Sequence, residues 1–370
     1  MTRVLCVGEC MLELRHIDET TLRIGYAGDT YNTAVYLHRV AAELGDAIEV
    51  GYLTGIGEDT NSAAMRAAWA AQGVVDHAVV VPGKHAGLYT IRVDEHGERH
   101  FDYWRADSAA RSLFSGTDWV NRLDADVLYL SGITLQMTTP AGRAALFTRL
   151  GKLRRQGATV ALDTNYRADC WASARDAAAA IDSVAAHADI VLATLDDEIA
   201  LHGSMSPHQA ADRIAALGPA ELIVKAGPAG AWLRWSGGVP EHLPAPAARV
   251  VDTTAAGDSF AAGYLAARIA GHTPPDAAQL ASTVAGVVIG QAGAITPAEL
   301  PLTHDSPLRP ASRPAVRTAE GNTRPRRVTR SGYGSAKPSI TSSPRRPAND
   351  CPPESTPSLP TPPPERNNLP

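Results

Sequence analysis

Four short apolar runs set the fold of this chain: 126–131 (D-V-L-Y-L-S), 158–163 (T-V-A-L-D-T), 189–193 (D-I-V-L-A) and 221–225 (E-L-I-V-K). Stretches with helical periodicity separate or follow them, at 140–156, 173–186, 207–217, 257–270 and 275–291. Apolar runs of this kind, with little polar alternation, are strands buried on both faces. Parallel strands need long crossovers, and the intervening helices supply them. The pattern therefore predicts an α/β fold, a mostly parallel sheet with helices on both faces. Strands at 3–8 and 48–54 and helices from about Thr30 and over 60–72 extend it towards the N-terminus. Ligands of such sheets lie beyond the carboxyl ends of the strands. Three polar segments fall there: D-T-N-Y-R (163–167), A-T-L-D-D-E (193–198) and K-A-G-P-A-G (225–230).

The stretch 250–268, V-V-D-T-T-A-A-G-D-S-F-A-A-G-Y-L-A-A-R, carries the chemistry. Ala255, Ala256 and Gly257 precede a helix whose buried stripe is Phe260, Ala261, Tyr264, Leu265 and Ile269. Small side chains leave backbone N–H groups bare, and a helix N-terminus attracts anions. Asp258 stands in the first turn. A carboxylate repels a resting phosphate, so a chemical role accounts for it there: a base beside a site for a transferring phosphoryl group. An ordinary helix-dipole contact is the competing account.

Two other segments face outward from the sheet pattern. R-I-G-Y-A-G-D-T-Y-N-T-A-V-Y-L (23–37) reads as a Gly-rich loop entering a helix. Gly25 and Gly28 serve a turn or the close approach of a ligand, and Asp29 and Asn32 offer an acceptor and an amide to hydroxyl groups. The alternating runs 87–93 and 99–105 predict a β-hairpin with its turn at Gly97, and M-L-E-L-R-H (11–16) an exposed strand. Tyr103 and Arg105 share parity and point to one side.

Composition excludes several classes. No apolar run approaches the length of a membrane span, and the N-terminus lacks a signal-peptide layout, so a cytoplasmic protein is expected. The four cysteines are scattered, which predicts reduced thiols. The net charge is −5, but the residues from Pro301 onward carry +6, leaving a body of about −11. An acidic body argues against a nucleic-acid surface. More than half of the 27 prolines lie in that last segment, with few large apolar residues, so 304–370 is expected to be a disordered Pro/Arg/Ser-rich tail behind a domain of residues 1–303. The segment 55–63 (G-I-G-E-D-T-N-S-A) lacks the third glycine of a dinucleotide motif, and the chain has no G-x-x-x-x-G-K-[ST] loop, H-E-x-x-H or G-x-S-x-G.

D-T-T-A-A-G-D-S-F, A-G-D-T-Y-N and K-A-G-P-A-G, in this order from both ends of the body, resemble the ribokinase-like (PfkB) sugar kinases over roughly residues 3–300. The resemblance implies a three-layer α/β/α sandwich with a small β lid, here 11–16 and 87–105. It implies ATP and a divalent metal, usually Mg²⁺, with a monovalent cation as a further option. Asp258 becomes the base for a sugar hydroxyl, and the N–H groups of Ala255, Ala256 and Gly257 the anion hole. Asn165, Arg167, Lys225, Gly227 and Gly230 would border the nucleotide. Gly28, Asp29, Asn32, Tyr89, Tyr103, Arg105 and Arg167 would meet the substrate. G-Y-A-G-D-T-Y-N-T-A (25–34), Y-W-R (103–105) and D-T-N-Y-R-A-D-C-W (163–171) are most similar to family members that act on a keto sugar acid. A carboxylate needs arginines where fructose or ribose does not, so Arg105 and Arg167 favour a small-molecule sugar acid over a neutral sugar.

Two departures stand out. Many relatives have Gly where this chain has Ala255, so the hole is expected to survive if φ stays negative there. The family's Asn-x-x-Glu is replaced by Thr194-Leu195-Asp196-Asp197 with Glu198 next, which leaves the metal ligands unassigned. Asp252 either shapes a cation loop or caps a strand end. The lid's exposed edge is suited to pairing with a second copy, so a homo-oligomer is expected.

Overall fold

The computed structural model describes residues 1–93 and 99–296. The expected turn at Gly97 and the 304–370 segment lie outside the described residues. The main sheet has nine strands, in the order Glu241–Leu243, Ala231–Trp235, Glu221–Lys225, Ile190–Thr194, Thr159–Asp163, Val127–Ser131, Thr2–Val7, Ile48–Leu53, Val75–Asp76. All neighbours are parallel except the two pairs made by Ala231–Trp235. The four apolar runs form adjacent strands, as their lack of alternation requires.

Each strand feeds two cores. Cys6, Tyr129, Ala161 and Leu192 pack beneath the helices Asp29–Glu43, Ala256–Ile269 and Pro274–Ile289. Leu5, Leu128, Val160 and Val191 pack on the opposite side beneath Pro140–Arg155, Ala174–Ala185 and Pro207–Ala215. The result is three layers, α/β/α.

A second sheet of four strands runs Leu22–Ala27, Met11–His16, Leu88–Val93, Arg99–Trp104. It corrects two expectations. Residues 22–27 are a strand, not a loop: the run pairs antiparallel with Met11–His16 along its whole length, from Met11 with Ala27 to His16 with Leu22. Gly25 within it and Gly28 just after it concealed the strand, because Gly carries no β-branched signal. Met11–His16 is then an interior strand, with Met11 and Leu12 buried and the remainder half-buried. One face of this lid packs Met11, Ala27, Tyr89 and Ile91 against Ala294, with Ala255 beside them. The G-I-G-E-D segment is a helix start: the Asp59 carboxylate caps Thr60–Ala71 through the N–H groups of Asn61 and Ser62.

Candidate active site

Two helices bring the site together. Asp258 lies in the first turn of Ala256–Ile269, and Asn32 in the first turn of Asp29–Glu43. Asn32 Nδ2 donates to Asp258 Oδ2 at 2.8 Å. Gly28, just before the second helix, is required by a close approach: a Cβ there would stand 2.1 Å from the Glu9 carbonyl oxygen. The Asp29 carboxylate accepts hydrogen bonds from Ser131 Oγ and, at 3.0 Å, from Asn165 Nδ2. Asn165, expected beside the nucleotide, is thus tied to Asp29, expected beside the sugar.

Burial pushes the Asp258 carboxyl up to about 8, the Asp29 carboxylate adds to this, and the Asn32 hydrogen bond opposes it. Asp163 also raises it and Lys225 lowers it. Asp258 is half-buried, so the group meets the cleft on one side and protein on the others. Asp29 is likewise raised by burial, and Arg105 and Arg167 pull it back. A base poised near neutrality is suited to accepting a hydroxyl proton.

Lys225 Nζ donates to Asp163 Oδ2 at 2.8 Å. It also lies against the helix start, since a Cβ on Gly257 would come 3.4 Å from Nζ. The lysine therefore adds a positive charge where the helix amides converge. The anion hole differs from expectation in two ways. Ala255 has φ 60° and ψ 15°, a left-handed conformation, where a negative φ was expected. A Cβ in that region costs roughly 1–2 kcal/mol. Asp252 holds it there: Oδ1 accepts from Thr254 N at 2.9 Å and Thr254 Oγ1 at 2.6 Å, and Oδ2 from Gly293 N at 2.9 Å. Second, the Ala256 N–H donates to Thr253 O at 3.2 Å, so an anion in the hole shares that donor.

The lid residues divide. Tyr103 is 54% exposed, with its ring 5.6 Å from that of Tyr89. Tyr89 is buried in the small core of the lid sheet and its hydroxyl donates to Glu13 Oε2 at 2.5 Å. Arg105 Nη2 pairs with the buried Glu9 Oε2 at 2.5 Å. Arg167 is exposed and donates from Nη1 to Tyr166 O at 2.8 Å. Burial raises the Asp29 pKa, and the charges of both arginines are among the influences that lower it. Gly227 and Gly230 form the turn between the antiparallel strands Glu221–Lys225 and Ala231–Trp235, with φ 54° and 91°. That turn alone accounts for both glycines.

Asp197 and Glu198 part company. Glu198 is fully buried against Arg213, at 2.7 Å from Nε, away from the cleft. Asp197 accepts from Tyr166 N at 3.1 Å, is raised by burial, and senses both Asp163 and Lys225. Among the described residues no three His, Cys, Asp or Glu side chains cluster to cage a metal. Sequence reasoning overlooked Glu9 and Ser131 and gave Asp163, the first residue of D-T-N-Y-R, no role of its own; Ser131 and Asp163 end buried strands, where a polar residue after an apolar run is the available signal.

A carboxylate of raised pKa, an ammonium and helix amides converging beyond a parallel sheet define a phosphotransferase acting on a hydroxyl compound. A family model described as pfkB family carbohydrate kinase matches residues 1–301, and the chain belongs to that family. It is 39% identical over 310 residues to 2-dehydro-3-deoxygluconokinase of Dickeya dadantii, covering 80% of this chain and 97% of that protein. It is 37% identical over 306 residues to the 2-dehydro-3-deoxygluconokinase of Escherichia coli K12, covering 80% and 98%. The fold is similar to that of a fructokinase from Vibrio cholerae O395 bound to fructose, ADP and calcium ion, with a TM-score of 0.68, 21% identity, and coverage of 80% of this chain and 95% of that one.

Proposed function

We propose that this chain transfers the terminal phosphoryl group of ATP to the primary hydroxyl of 2-dehydro-3-deoxygluconate, giving the 6-phosphate. The observation that carries the reading is Asp258 held by Asn32, its pKa raised by burial and by the charge of Asp29, on which Arg105 and Arg167 also act. The two enzymes at 37–39% identity support the substrate class. Asn165 and Ser131 hold Asp29, and Asp29 and Asn32 orient the sugar. Asp258 takes the hydroxyl proton as the oxygen attacks phosphorus. The N–H groups of Ala256 and Gly257 and the Lys225 ammonium meet the charge on the transferring group. Arg105 and Arg167 grip the substrate carboxylate.

A divalent cation neutralises phosphate charge when bound. Magnesium keeps its waters and takes only one or two carboxylates besides the phosphates, so Asp197 with Asp163 is a fitting donor set. A monovalent cation at the Asp252 loop would share a carboxylate that is already engaged. Both carboxylate oxygens accept hydrogen bonds, and Arg15 Nη2 lies 3.8 Å from Oδ2.

Arg105 is already paired with Glu9, and this favours one competing reading, a kinase for a neutral sugar such as fructose. A coupled ADP-release assay over 2-dehydro-3-deoxygluconate, its galactonate epimer, fructose and ribose decides between them. The sugar acid is expected to give the highest kcat/KM; a neutral sugar in first place would refute the reading. In this reading the protein works in the cytoplasm, with Cys6, Cys10 and Cys170 as free thiols. It pairs through the lid's outer face, where Leu22, Ile24 and Trp104 are exposed. Ile24→Glu would then yield a smaller species by light scattering.

A further inference from the structure

Glu9 lies two residues beyond the strand Thr2–Val7 and is only 1% exposed. Three segments remote in sequence, at Gly28, Gly87 and 105–108, close around it. Gly28 packs on its carbonyl, and Gly87 leaves space for its carboxylate, since a Cβ there would come 2.7 Å from Oε1. Ser108 Oγ donates to Oε1. Arg105 Nη2 stands 2.5 Å from Oε2, an atom that has no aligned hydrogen-bond donor. A buried carboxylate without compensation is costly, so the charge of Arg105 is what keeps Glu9 there.

The relation also runs the other way. Arg105 follows the lid strand Arg99–Trp104, while Glu9 belongs to the rigid body of the sheet. A long arginine side chain has many rotamers, and ordering it on substrate binding would weaken binding. We propose that Glu9 is a positioning residue for recognition of the substrate carboxylate. It holds the guanidinium of Arg105 by one nitrogen, so that the planar fork is ordered towards Asp29 before substrate arrives. This rests on the sugar-acid reading. Ser108 fixes the second carboxylate oxygen, and the two glycines admit the contact; together they make a built socket for Arg105 and not a chance ion pair.

The test is a steady-state kinetic cycle on the full chain with Glu9→Gln, Arg105→Ala and the double variant, using the sugar acid and fructose. Glu9→Gln is expected to raise KM for the sugar acid about tenfold, with kcat within about threefold and no change in KM for fructose. In the Arg105→Ala background Glu9→Gln is expected to add nothing. Glu9→Asp keeps the charge but falls a methylene short, so an intermediate KM is expected; it also maintains the test if Glu9→Gln does not fold. If Arg105→Ala raises KM for the sugar acid and the Glu9 variants do not, this proposal fails while the substrate reading stands. An equal Glu9→Gln effect with and without Arg105, or a fall in KM, also overturns it. If Arg105→Ala leaves the sugar-acid KM unmoved, the substrate reading and this proposal fall together.

Discussion

Asn32 Nδ2 donates to Asp258 Oδ2 at 2.8 Å, joining the first turns of two helices that lie 226 residues apart in sequence. The bond orients the carboxylate and opposes the upward pull of burial and of Asp29 on its pKa. The base is therefore set by competing effects, and each can be removed in turn.

The first prediction concerns pH. Asp258 must be ionised to accept a proton, and its carboxyl is pushed up to about 8. kcat/KM reports the free enzyme, so it is expected to fall towards tenfold per unit as pH drops below that value. Asp29 raises the pKa by like charge, so Asp29→Asn is expected to move the acid limb to lower pH, whatever it does to KM. A profile flat from pH 6 to 9 would remove Asp258 as the base.

Asp258→Asn separates chemistry from folding. Turnover is expected to fall by a factor on the order of 10² or more, with ATP affinity retained. Stability changes with the opposite sign. The folded-state pKa lies above the ordinary carboxylate value, so the native state holds its proton while the unfolded chain releases it. The acid's cost to stability is absent below the unfolded pKa, grows as pH rises and is complete above about 8. The melting temperature of Asp258→Asn should exceed that of the parent by an amount that grows from pH 5 to pH 9. A constant difference would contradict the shifted pKa.

Part of this arrangement was legible before any coordinates: small residues before an acidic helix turn pointed to anion chemistry, with an ordinary helix-dipole contact as the competing account. Asn32 and Asp258 are hydrogen-bonded, Lys225 bonds Asp163 beside Gly257, and the charges of Arg105 and Arg167 act on Asp29. Three things were not legible. The strand Leu22–Ala27 was hidden by Gly25 and Gly28, whose permissiveness reads as a loop when no pairing partner is in view. The backbone of Ala255 is fixed by hydrogen bonds from Thr254 and Gly293 to Asp252, a tertiary constraint with no local signature. The Glu9–Arg105 pair spans 96 residues, so neither side chain announces the other.

Ala255 gives the third prediction. Relief of a left-handed Cβ is worth roughly 1–2 kcal/mol, and the added chain entropy of glycine takes back roughly 0.5–1 kcal/mol. Ala255→Gly is thus expected to stabilise the protein by about 0.5–1 kcal/mol in denaturant unfolding, with turnover within about twofold, because the N–H remains. Destabilisation would show that φ is not positive at this residue.

Lys225 tests the electrostatics from the other side. Its ammonium bonds Asp163 at 2.8 Å, flanks Gly257, and lowers the Asp258 pKa. Lys225→Met deletes the charge while keeping most of the volume. Two effects follow. Loss of a charge aimed at the transferring phosphoryl group is expected to lower kcat by about 10²–10³. Loss of a cation near Asp258 is expected to move the acid limb of kcat/KM to higher pH, opposite in direction to Asp29→Asn. Lys225→Arg restores charge with a different shape, so it should recover the position of the limb better than it recovers kcat. If both Lys225→Met and Asp29→Asn leave the limb in place, the group titrating in the profile is not the carboxyl of Asp258, and the assignment of the base must be abandoned.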